Sequence, residues 1–93
     1  MIQSFADKDA ERCFYGQPVQ AGWQNIQRVV GRKLIMLHAA VSLRDLASPP
    51  NNKLEALKKE RSGQHAIRVS DQWRLCFVWK DDGPHAVEVA DYH

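Results

Sequence analysis

Apolar residues recur along this chain with two periods, one that suits helices in the first half and one that suits strands in the second. Ile2 to Phe5 alternates apolar and polar positions, which predicts a short first strand. Asp7 is placed to cap a helix running to about Tyr15, with Asp9 and Glu11 in its first turns where the helix dipole favours them. Gly16-Gln17-Pro18 stops that helix. Trp23, Ile26, Val30, Leu34, Leu37 and Val41 then step by three and four residues and form the apolar stripe of a longer helix. Gly31 lies inside it and weakens it slightly. Ser42-x-x-Asp45 resembles a capping signal, so a break near residue 41 and a short helical turn through Leu46 are expected.

From Ala47 to Asn52 two prolines and two asparagines predict a loop. Leu54 and Leu57 mark a short strand before the charged segment Lys58 to Gly63. His65–Val69 and Trp73–Trp79 alternate as strands, separated by a turn at Asp71-Gln72. Asp82-Gly83 predicts a hairpin turn into a last strand containing Val87 and Val89. This order predicts an α+β fold in which an N-terminal strand and two helices pack on one face of a small, mainly antiparallel sheet. Strand parity places Leu75, Phe77 and Trp79 on the buried face, and Arg74, Cys76 and Val78 on the face turned away from the helices.

Ninety-three residues predict one domain spanning 1–93, and a 44% apolar share supplies a core and argues against disorder. Thirteen basic residues against eleven acidic ones carry little message in total. Their distribution says more. Between Lys53 and Lys80 seven basic residues oppose three acids, while from Asp81 onwards there are four acids and no Lys or Arg. A basic central segment of this kind can steer a polyanion to one face. Cys13 and Cys76 lack CxxC spacing and read as small buried hydrophobes in a reduced, cytoplasmic protein. Neither a signal peptide nor a membrane span is expected.

The chemistry-bearing residues concentrate near the end of the chain. Arg74 follows Trp73 on a strand, and Asp91-Tyr92-His93 continues the last one. A guanidinium can hold two phosphate oxygens, and an imidazole titrates near neutrality, so the set suits binding a phosphate and moving protons around it. The four histidines show no metal spacing, and there is no Gly-rich phosphate loop or nucleophile elbow. His38 is expected to be structural, and Trp23, Trp73 and Trp79 to be core or sheet aromatics. No cofactor is expected.

Met1-Ile2-Gln3-Ser4-Phe5, Arg44-Asp45-Leu46 with the Pro49-Pro50 loop, Gly63, Val69, Gln72-Trp73-Arg74 and Asp91-Tyr92-His93, in that order, resemble the HigB-type toxins of the RelE/ParE superfamily, GraT-like members most closely. The resemblance covers essentially the whole chain. It implies the RelE-like microbial RNase fold and a toxin of a type II toxin–antitoxin system that cuts messenger RNA in the ribosomal A site. It also implies a helix-turn-helix, HigA-like antitoxin encoded beside it, which alone contacts operator DNA. The family's functional positions fall on Lys58, Arg74, Asp91, Tyr92 and His93. Some members carry a histidine three residues before that lysine, where this chain has Glu55, so a two-histidine acid–base scheme does not transfer.

Metal-independent RNA cleavage uses the ribose 2′-OH as nucleophile. The expected division of labour gives Arg74 the charge on phosphorus, His93 a proton, Asp91 the orientation of His93, and Tyr92 a base or phosphate contact. Lys53, Lys58, Lys59, Arg61 and Arg68 would supply positive charge along the RNA, and Glu55 is a further acid–base candidate. Which of His93, Glu55 and Asp91 acts as acid and which as base stays open. Two other readings are a ParE-like poison of DNA gyrase and a non-catalytic module that binds RNA or protein.

Overall fold

The computed structural model describes residues 1–91. Helix α1 spans Lys8–Phe14 and α2 spans Gln27–Ala39; strands follow as β1 (Glu55–Ala56), β2 (His65–Arg68), β3 (Trp73–Lys80) and β4 (Gly83–Asp91). The four strands form one antiparallel sheet in the order β1-β2-β3-β4. Both helices lie on one face, as the periodicities predict. No helix among the described residues is long and apolar enough to cross a membrane.

Asp7 caps α1 by accepting the N–H groups of Asp9 and Ala10. Its second carboxylate oxygen accepts Val89 N–H of β4 at 3.2 Å, so the cap also docks the helix on the sheet. Trp23, Ile26, Val30, Leu34 and Leu37 are buried as the stripe predicts, against Ile67, Leu75, Phe77 and Val87 from the sheet. Cys13 approaches the start of α2, where its Sγ lies 3.6 Å from the Gln27 carbonyl, and burial raises its thiol pKa. His38 is structural: its Nδ1 accepts Ile2 N–H at 3.1 Å and its ring packs on Phe14.

Three expectations need correction. The long helix does not start at Trp23, which sits in a 3-10 turn (Ala21–Trp23), and it ends at Ala39. Val41 therefore falls outside the stripe and is 90% exposed. The cause is the predicted cap itself: the Asp45 carboxylate accepts the N–H groups of Val41 and Ser42, which favours a new turn over continued helix. The N-terminal strand is reduced to one parallel bridge, Phe5 to Val87, flanked by backbone hydrogen bonds to Pro84 and Val87.

A β-bulge explains how that short segment fits. Cys76 pairs with Glu88 and Val78 with His85, so β4 carries one extra residue there. Ala86 adopts φ +51° within it and donates its N–H to Ser4 Oγ. The third correction is a shift of one residue in the last hairpin. Gly83 pairs with Lys80, so the two-residue loop is Asp81-Asp82 and Gly83 opens β4. Its φ is +123°, and a Cβ there would lie 2.5 Å from the Met1 carbonyl oxygen, so the position requires glycine.

Candidate nucleic-acid interface

Strand alternation assigns the candidates to faces. Arg68, Arg74 and Ala90 are partners across β2, β3 and β4, and Glu55, Ala66, Cys76 and Glu88 form the neighbouring row. Although the Arg68 side chain, at the end of β2, also borders a cleft with α2, alternation sets these positions on the face away from the helices. Ala66, Cys76 and Ala90 form a small second core there, covered by Leu57. The far face is therefore not bare. The 57–61 segment folds over part of it and leaves the Arg68–Arg74 end as its charged margin.

Arg74 is held by the turn that joins β2 to β3. Its Nη1 donates to the carbonyl oxygens of Ser70 and, at 3.1 Å, Trp73, with Asp71 O at 3.5 Å. That turn is itself closed by Trp73 N–H to Ser70 Oγ and by Val69 and Ser70 N–H to Trp73 O. Backbone carbonyls of the turn thus help to set the guanidinium position. Arg68 is held by Asp71 at 2.7 Å. The hydrogen bond and charge of Arg68 keep the Asp71 carboxyl below the usual carboxylate range, and Lys53 and Arg74 add to the effect. Lys53 therefore belongs to the same margin.

The other basic candidates divide. Lys58 and Lys59 are exposed and border a shallow cavity of about 520 Å³ with Leu57, Glu60 and Arg61. Lys59 holds φ +58° and Lys53 φ +48°, a conformation uncommon for residues with a side chain. Arg61 differs from its expected role along the RNA: it bonds Glu88 at 2.5 Å and Gln64 at 3.0 Å, bracing the loop across the second core. Glu55 is exposed on the far face. Asp91 pairs with Trp73, so its alternation is opposite to that of Arg74, and its carboxylate accepts Gln72 Nε2 at 3.2 Å. Tyr92 and His93 lie outside the described residues.

One set of cations escaped the sequence reading. Arg28, Arg32 and Lys33 of α2 border two adjoining clefts, one of which also includes Arg68. A signal for them exists in the sequence, since no Asp or Glu occurs between Glu11 and Asp45. These cations lie off the buried stripe of the helix.

Residues 3–93 match the family described as RelE-like toxin of type II toxin-antitoxin system HigB. Toxin HigB-1 of Vibrio cholerae is 42% identical over 57 residues, covering 61% of this chain and 60% of that protein. An uncharacterized protein of Haemophilus influenzae is 38% identical over 58 residues, covering 62% of this chain and 57% of its own length. The matched region thus spans under two thirds of each of these curated relatives.

Proposed function

The chain belongs to the HigB family of RelE-like toxins of type II toxin–antitoxin systems, and from that premise we propose that it is a ribosome-dependent endoribonuclease cutting messenger RNA in the A site. The observation that carries this reading is Arg74, fixed by turn carbonyls at the margin of the far face beside Arg68. Cleavage by ribose 2′-OH attack gives a 2′,3′-cyclic phosphate and a 5′-OH. It needs a base for the 2′ proton, cationic donors for the charge gathering on phosphorus, and an acid for the departing 5′ oxygen.

Arg74 takes the second role. A planar guanidinium donates to two phosphate oxygens at once, and an anchored one needs little reorganisation as charge develops. Lys58, Lys59 and Lys53 hold the RNA backbone near it. Proton transfer falls to His93 with Asp91 and Tyr92, and Glu55 is the far-face carboxylate that would stand in for a second imidazole. This is a sparse catalytic set. It suits an enzyme whose substrate is already splayed and aligned by the ribosome, where orientation supplies much of the rate. In this reading the protein acts in the cytoplasm as a single domain, and a HigA-like helix-turn-helix antitoxin neutralises it.

The test is to map 5′ ends of cellular RNA after a brief pulse of expression. Cuts clustered in frame with codons are the expected result. Uncut messages would overturn the proposal, and DNA breaks in their place would point to gyrase.

A further inference from the structure

The two clefts along α2 lie outside the machinery just described, although they adjoin it. The first encloses about 320 Å³ and is lined by Arg32, Lys33 and Arg68 over an apolar floor of Val29, Met36 and Val69. The second, about 330 Å³, shares Val29 and Arg32 with the first and adds Arg28. We propose that these clefts form a phosphate-binding track for the single-stranded RNA that continues from Arg74. The inference rests on the nuclease reading and extends it to residues on the helical layer.

Three features support a track. Arg68 connects the parts: it is the direct strand partner of Arg74 and also a wall of the first cleft. β1 pairs only with His65 and Ala66, so the Arg68 end of β2 is a sheet edge from which the side chain reaches the cleft. Next, Lys33 is positioned. Its Nζ donates to Oδ1 of Asn52, a fully buried residue whose Nδ2 donates to the carbonyls of Leu46 and Ser48. Burial lowers the Lys33 pKa, and the charges of Arg32 and Arg68 lower it further, a repulsion that a bound anion relieves.

Finally, no carboxylate lines either cleft among the described residues. Asp71, exposed, pairs with Arg68 at the margin of the first cleft. Arg28 and Arg32 stand one helical turn apart, about 5–6 Å between Cβ atoms. A row of cations at such intervals suits a polyanion rather than a single small anion. The apolar floor can meet sugar faces between phosphates. Pro49 and Asn51 of the loop after α2 complete the lining of the first cleft.

The test uses the full chain and a short fluorescent single-stranded RNA carrying 2′-O-methyl riboses, so that binding is read without cleavage. Affinity is measured by anisotropy across a salt series for wild type, Arg32→Glu and the triple variant Arg28→Gln/Arg32→Gln/Lys33→Gln. Arg32 is exposed, so its substitution leaves the core intact. Removing three phosphate contacts should lower the log–log salt slope by about 2 and the affinity by more than tenfold near ~0.1 M salt. Arg32→Glu alone should lower affinity severalfold. Wild-type affinity and slope in folded Arg32→Glu would overturn the track. So would unchanged RNA binding together with lost binding of a polyglutamate peptide, which would assign the clefts to an acidic protein segment. Mapping of 5′ ends by the wild type separates this failure from that of the nuclease reading: in-frame cuts with unchanged RNA binding by the variants remove only the track.

Discussion

Arg68 and Arg74 stand directly opposite each other across the β2–β3 ladder, two like charges at a register position where such a pair is ordinarily destabilising. The connecting turn makes the arrangement tolerable. Asp71 binds Arg68, while the carbonyls of Ser70 and Trp73 bind Arg74. The four-residue link between β2 and β3 thus concentrates positive charge at one margin of the sheet and holds it there.

If Arg74 stabilises the transition state, Arg74→Ala should reduce cleavage of ribosome-bound message by about a hundredfold or more. Arg74→Lys should recover little, because an ammonium lacks the planar fork that grips two phosphate oxygens. Primer extension on programmed ribosomes measures both. Growth arrest by Arg74→Ala at matched expression would remove the residue from the mechanism.

Acid–base roles can be divided by pH profile. His93→Ala should abolish the limb of the rate profile that lies near neutrality. Glu55→Gln should lower the rate while leaving that limb in place if Glu55 is the partner rather than the principal group. Identical profiles for wild type and His93→Ala would exclude the imidazole from rate-limiting proton transfer.

Asp45 predicts a pH dependence of stability. Hydrogen bonds from the N–H groups of Val41 and then Ser42 hold its carboxyl below the ordinary range. A depressed folded-state pKa contributes stability that is present above the unfolded value, about 3.9, and is lost as pH falls through the folded value. Wild type should therefore unfold at a higher temperature than Asp45→Asn near neutral pH, and the two should converge in acid. Melting curves between neutral pH and about pH 2 test this; parallel curves would contradict it.

Asn52 is a fully buried polar side chain that ties Lys33 to the carbonyls of Leu46 and Ser48. Asn52→Ala leaves both carbonyls without this donor, and should cost roughly 2–3 kcal/mol in chemical denaturation. The same change frees the Lys33 ammonium, so RNA affinity should fall as well. A loss below about 0.5 kcal/mol would show that water replaces the amide without penalty.

The sequence determined what depends on neighbours along the chain. The Asp7 and Ser42–Asp45 caps, the α2 stripe of Val30, Leu34 and Leu37, and the alternation of β3 are local, because side chains three or four residues apart on a helix, or two apart on a strand, share a face whatever surrounds them. That alternation also placed Arg74 on the far face. The tertiary structure decided which distant groups meet. Arg61 reaches Glu88 because the connection between β1 and β2 folds over the far face of the sheet, and the bulge at Ala86 lets residues 3–6 join β4. The approach of α2 to the end of β2 adds Arg28, Arg32 and Lys33 to the charge around Arg68. Such contacts depend on strand register and on the docking of one layer against another, and periodicity carries no information about where one element lies relative to another far away in the chain.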